Sequence, residues 1–318
     1  MVPFFVVDRP VSLEILKGFF LMVPNKTFGI LTHAFVSDNF KRKFLQFPYN
    51  TSLNYFLEKK LEDDRSLSRR VIKFADSGIF EANRQVSYEE LFDIYEQLGA
   101  HYGVIIDFFK DKNRTIESAK HAIKVYQTNK YRFKLVGVAQ GTCIDEYISC
   151  YKHLRELGYK YIALGGLLKR NGNSNYRGLR CEYFLQNLIE RIKYEFDPNW
   201  LFVFGIFNPK RKALLERLNV WGADYKGWLF HYDESYSFIK SENYITHVNE
   251  SRKIFLYTLL NYYSILKQKH KLSYSSRDSR SLIRLERKLL DKSLSKLGMS
   301  LQELRFRKVR DELYKIFK

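Results

Sequence analysis

The chain has 318 residues, 45% of them hydrophobic and 28% charged, which excludes global disorder and leaves room for one large core with an appendage. It contains no run of roughly 18 apolar residues and no basic start followed by a long apolar stretch, so neither a membrane span nor a signal peptide is expected. Its 54 Lys and Arg against 35 Asp and Glu give a formal charge of +19, which suits a polyanionic partner or, failing that, a solvated basic surface.

Short apolar runs without polar alternation recur along the chain, as in strands buried on both faces of a parallel sheet. The first is residues 4–7 (FFVV), ending at Asp8, and the second is 27–31 (TFGIL), ending at Thr32 and His33. Residues 71–75 (VIKFA) deliver Asp76-Ser77-Gly78, and residues 103–106 (GVII) deliver Asp107. Residues 134–139 (KLVGVA) end at Gln140-Gly141, and 161–164 (YIAL) end at Gly165-Gly166. Residues 201–204 (LFVF) end at Gly205, and 223–230 hold Asp224. Helical patterns over 87–98, 115–127, 144–157, 181–194 and 209–218 separate most of these runs. Eight βα units predict an α/β fold, a (β/α)8 TIM-type barrel over residues 1–270, with a doubly wound open sheet as the competing topology.

Residues 38–70 form a long connection, readable as a lid or as a helical insertion that pads the barrel. Residues 171–178 (NGNSNYRG) are the most loop-like stretch, with Lys169, Arg170, Arg177 and Arg180 in or beside them. A second insertion is expected over 231–248, then an eighth helix over 249–270. Residues 267–318 carry 16 Lys and Arg against 6 Asp and Glu. Apolar residues at helical spacing in 281–290 and 301–317 predict a basic helical extension over 271–318, suited to nucleic-acid contact. The three cysteines, Cys143, Cys150 and Cys181, match neither a disulfide framework nor a zinc site, so reduced thiols and no metal are expected.

A carboxylate where a buried strand meets a turn, as at Asp76, sits at the mouth of an α/β pocket or else caps the next helix. Gln140 has the same two readings, and Gly165-Gly166 is either a site of close backbone approach or a turn. Asp107 either faces the pocket or pairs with Lys110 or Arg114. His33 is read as a packed or rim histidine.

VIKFADSGIFEAN resembles the DSGGFQ segment of tRNA-guanine transglycosylases, with Asp76, Ser77, Gly78 and Phe80 matching. VIIDFF sets Asp107 where that family carries an Asp after its next strand. VGVAQGT, with Gln140-Gly141, resembles the family's VQG motif, and YIALGGL, with Gly165-Gly166, resembles its AIGGL. All four fall at consecutive strand ends, in the family's order. The resemblance implies a TIM-type barrel and base exchange at a glycosidic carbon. It implies a substrate pocket of Ser77, Asp107, Gln140, Gly141, Gly165 and Gly166, with Asp107 accepting from the N–H groups of a guanine-like base and the Gln140 amide donating to its O6. Asp76 would deprotonate the incoming base, and Lys169, Arg170, Arg177 and Arg180 would hold a phosphate backbone.

Two departures refine this. The tRNA enzymes carry a zinc subdomain of clustered cysteines and a histidine after the last strand, which is missing here. That favours the DNA-modifying, DpdA-type branch, which inserts 7-deazaguanine (preQ0-type) bases into DNA of bacteria and phages, with an RNA-acting enzyme as the alternative. The branch implies DNA as a partner, no cofactor, further proteins of a modification system, and the cytoplasm of a bacterium or phage-infected cell. In the family's eighth strand, G-x-D-x-F-D, the second Asp attacks the sugar. Here GADYKGW puts Gly227 in that place, so Asp224 would have to attack from three residues earlier, with Asp233 as fallback. If neither serves, the chain is an inactive nucleic-acid-binding homologue. Sugar-phosphate lyase or aldolase chemistry needs a Schiff-base lysine or a metal cluster at strand ends, and Lys73 and Lys134 precede theirs.

Overall fold

The computed structural model describes residues 1–53, 62–79, 82, 85–167, 179–229 and 301–317. Eight parallel strands close a barrel in sequence order: β1 (Val2–Val6), β2 (Phe28–His33), β3 (Val71–Asp76), β4 (Tyr102–Val104), β5 (Lys134–Ala139), β6 (Tyr161–Leu164), β7 (Leu201–Val203) and β8 (Gly222–Tyr225). Pairing of β8 with β1, Asp224 opposite Phe4, completes the ring and rules out the open sheet. The (β/α)8 expectation is the observed architecture.

The helices are α1 (Pro10–Met22), α2 (Asp38–Gln46), α3 (Asp64–Ser68), α4 (Tyr88–Gln97), α5 (Lys112–Asn129), α6 (Ile144–Glu156), α7 (Leu179–Phe196) and α8 (Lys212–Arg217). Side-chain caps fix several starts: Ser37, Asp63, Ser87 and Asp111 each accept a backbone N–H from three residues ahead. The described parts of the 38–70 connection are helical and tied to the barrel. Lys17, buried on α1, donates to the Pro48 and Thr51 carbonyls at 2.8 and 3.0 Å and to Asp64 at 2.7 Å.

The chain divides into two compact units, Met1–Lys226 with all eight strands, and Gly227–Lys318. In the second unit, α9 (Leu301–Phe317) fulfils the expected helix over 301–317 and buries Val309, Leu313 and Ile316 along one stripe. The boundary at 270 and the helices expected over 249–270 and 281–290 lie outside the described residues. None of the described helices is long and apolar enough to cross a membrane.

Alternate residues of a barrel strand point inward. The inward positions of the lower half are aromatic. The Phe4 ring meets Phe74 at 5.5 Å and Phe202 at 5.1 Å between centroids, and Phe74 meets Phe202 at 4.7 Å. Tyr102, Trp200 and Trp221 extend the cluster below, with Trp200 and Trp221 4.9 Å apart. Space for Phe4 comes from glycines on the neighbouring strands. A side chain at Gly29 would collide with the Phe4 ring, and one at Gly222 would begin 3.0 Å from it. Phe4→Ala, which opens a void in this plug, is expected to cost about 3–5 kcal/mol of unfolding free energy in a urea titration. Tyr194→Ala, at a 90% exposed position, should stay within about 0.5 kcal/mol of the parent.

Candidate active site

Two residues beyond the aromatic layer, the inward positions change character. Phe74 is followed by Asp76, Gly222 by Asp224, Phe202 by Phe204, Tyr102 by Val104 and Phe4 by Val6. All five second members line one cavity of about 410 Å³ at the C-terminal ends of the strands. Asp107, Gln140, Gly165, Gly166, Ser77, His33, Phe109 and Lys226 complete most of its wall. Three carboxylates from three strands thus share one space with one lysine.

Asp76 ends β3 and lies in register with His33 of β2. Its Oδ1 accepts the Ser77 amide N–H at 2.8 Å, which shapes the turn. It does not cap α4, whose cap is Ser87. Gly78 follows with φ of +58°, and a Cβ there would lie 2.7 Å from the Cβ of His33, so only glycine lets the turn fold over the imidazole.

The Gln140 side chain is buried and organises the opposite wall. Its Nε2 donates to Asp107 Oδ2 at 2.5 Å, and its Oε1 accepts the Lys110 amide N–H at 3.2 Å. It caps nothing, because α6 begins after Cys143 without a side-chain cap. The space for this amide explains both glycines. A Cβ at Gly165 would lie 2.6 Å from Gln140 Nε2, and one at Gly166, where φ is +67°, would run into Gln140 Oε1. Tyr147 holds the pair from behind by donating to the Gly165 carbonyl at 2.7 Å. Gly141, expected in the substrate pocket, is not among the lining residues. Its Cβ position lies 2.8 Å from the Tyr147 amide nitrogen, so it makes room for the first turn of α6.

Asp224 is 6% exposed, and its Oδ1 accepts the Gly205 amide N–H at 2.5 Å. Burial pushes its pKa from 3.8 up to about 6. The amides of Gly205 and Asp224 and the Lys226 ammonium offset only part of that desolvation.

His33, set aside in the sequence as a packed or rim residue, lines the cavity, and so do Lys226, Phe109 and Phe204. The period-two rule applied from Asp224 finds Lys226. Lys169, Arg170, Arg177, Phe80 and Asp233 lie outside the described residues. Arg180 falls in the first turn of α7, and its side chain is likewise outside them. Among the described residues no group of three His, Cys, Asp or Glu is placed to hold a metal ion. No protein-family model and no curated protein matches this chain.

A buried carboxyl whose folded pKa is raised adds stability only while protonated. For Asp224 that contribution is full below about pH 4 and is lost as pH rises through about 6. Asp224→Asn keeps an oxygen for the Gly205 amide and removes the charge. It is expected to raise the unfolding free energy at pH 8 by up to about 3 kcal/mol and to change little below about pH 4. A variant less stable than the parent at pH 8 contradicts the burial argument. Gly166→Ala, which adds backbone strain and displaces Gln140, is expected to cost about 1–3 kcal/mol in the same unfolding titration.

Proposed function

We propose that this chain is a base-exchange transglycosylase, replacing guanine in a nucleic acid, DNA foremost, with a 7-deazaguanine base through a covalent aspartyl-glycosyl intermediate. The observation that carries the reading is the convergence of Asp76, Asp107 and Asp224 with Gln140 and Gly165-Gly166 on one cavity. The sequence resemblance to guanine transglycosylases names Asp76, Asp107, Gln140 and Gly165-Gly166, while on the eighth strand it puts Gly227 at the attacking position and leaves Asp224 to attack from three residues earlier.

Ionised carboxylates only accept hydrogen bonds, so this wall suits a ring that offers several N–H groups, as the Watson–Crick edge of guanine does. Gln140 donates to Oδ2 of Asp107 and so fixes how that carboxylate is presented to the cavity. Gln140 is therefore chiefly a positioning residue, with one amide N–H left for a base carbonyl. The Gly165-Gly166 backbone can approach the ring closely. Phe109 and Phe204, also in the wall, offer surfaces for a nucleotide that has left its stack at a cost of a few kcal/mol.

In the first half-reaction Asp224 Oδ2 attacks C1′, the C1′–N9 bond breaks, and its electron pair leaves with guanine. Asp76, which enters the cycle protonated, gives that nitrogen its proton. In the second half the incoming base returns a proton to Asp76, and its N9 displaces Asp224 from C1′. One proton is lent and one recovered, so the exchange consumes no external acid or base. The Gly205 amide holds Oδ1 of Asp224 throughout.

Lys226, at the cavity wall beyond β8, favours a second reading, Schiff-base chemistry on a carbonyl substrate. Its exposure weighs against this, because such lysines are ordinarily desolvated.

The test is incubation with labelled guanine or 7-cyano-7-deazaguanine and either duplex DNA or tRNA. Incorporation is expected, falling at least about a thousandfold in Asp224→Ala. The rate should climb with pH through about 6, where Asp224 ionises. Label entering tRNA alone would move the partner to RNA. No label in either, with borohydride trapping of a carbonyl compound at Lys226, would replace the reading with the second one.

A further inference from the structure

At the opposite end of the barrel a second cavity, of about 640 Å³, opens beside the starts of β3, β4 and β5 and the C-terminal ends of α2 and α4. Leu45, Val71, Ile72 and Tyr102 give it an apolar floor, while Arg69, His101, Arg132 and Lys134 give it a cationic rim. Its single carboxylate, Glu96, is already engaged. It accepts the Arg132 amide N–H and the Arg132 Nε–H, both at 2.7 Å. Burial opposes the Glu96 charge, but these bonds outweigh it and hold its pKa below the ordinary value.

Among the described residues, Arg132–Glu96 is the only ion pair in the lining. The Lys134 ammonium lies over the Tyr102 and Tyr161 rings, 5.1 and 5.3 Å from their centroids. His101 Nδ1 accepts the Lys73 amide N–H at 2.9 Å, so its proton sits on Nε2, which can only donate. Burial, then the ammonium groups of Lys73 and Lys134, press the His101 pKa down. Lys73, behind the floor, donates to the Leu45 carbonyl at 2.5 Å. A concave, positively charged wall on a low-dielectric floor concentrates field and attracts an anion.

We propose that this lower cavity binds a phosphate group. Arg69, Lys134 and the Nε2–H of His101 supply charge-assisted donors, and the apolar floor accommodates the ring of a carrier. That carrier is a nucleotide, either free or within a nucleic-acid backbone. The upper cavity, dense in carboxylates, repels phosphate, so occupation below leaves it open. The inference stands independently of the transglycosylase reading.

The full chain is titrated by calorimetry with inorganic phosphate, GMP, guanosine and a short DNA duplex, while the His101 imidazole is followed by NMR. Saturable binding of a phosphate-bearing probe and an upward shift of the His101 titration are expected, while guanosine leaves the His101 titration unmoved. Arg69→Ala and Lys134→Ala, both at exposed positions, should each weaken binding about tenfold. Tyr194→Ala, at an exposed position lining neither cavity, should leave it unchanged. Saturation by GMP assigns a free nucleotide, and saturation by the duplex alone assigns a backbone phosphate. No saturable binding by any phosphate-bearing probe, or binding undiminished in the Arg69→Ala, Lys134→Ala double variant, overturns the proposal. The His101 titration in the parent chain decides the matter even if a variant fails to fold.

Discussion

The site depends on an aromatic plug. Phe4, Phe74 and Phe202 meet edge-on or tilted across the barrel, and glycines on the strands flanking Phe4 make the space for its ring. Because the plug fills the lower half, the cavity above it has a dry floor. Because strand side chains alternate, whatever stands two residues later on each strand must face that cavity. Asp76 and Asp224 are inward for that reason, and the strand order brings them together from β3 and β8.

The same floor accounts for the energetics of Asp224. A carboxylate over aromatic rings, with a backbone amide as its main partner, loses more from dehydration than the amide returns, and its pKa rises to about 6. A charge kept in such a place at a net cost is typical of groups retained for chemistry. Asp107 is treated differently. Gln140, itself fixed by the Lys110 amide and the two glycines, anchors one of its oxygens. One acid is anchored by a buried amide, and the other is left poorly compensated.

Much of this was legible in the sequence. Strands buried on both faces read as unbroken apolar runs, so the eight strands and the residues that follow them, Asp76, Asp107, Gln140 and Gly165-Gly166, could be found by inspection. The same unbroken character hides which face of a strand points inward. His33, Lys226 and Phe204 were therefore passed over, although each is inward by parity, from Gly29 beneath the Phe4 ring, from Asp224 and from Phe202 respectively. Gly141 was assigned to the pocket because it adjoins Gln140, but packing against α6 decides its place. The lower cavity was invisible for another reason. Arg69, His101 and the pair Arg132 and Lys134 come from three separate connections, and only the pairing of β3, β4 and β5 brings them together.

The account stands or falls on whether the upper cavity takes a purine-like ring by its N–H edge. The most direct measurement is calorimetric titration of the full chain with free guanine and with 7-cyano-7-deazaguanine. The account predicts one base bound per chain, weakened at least about tenfold by Asp107→Asn and little affected by Asp224→Asn. A chain that binds neither base, or binds it undiminished after Asp107→Asn, contradicts it.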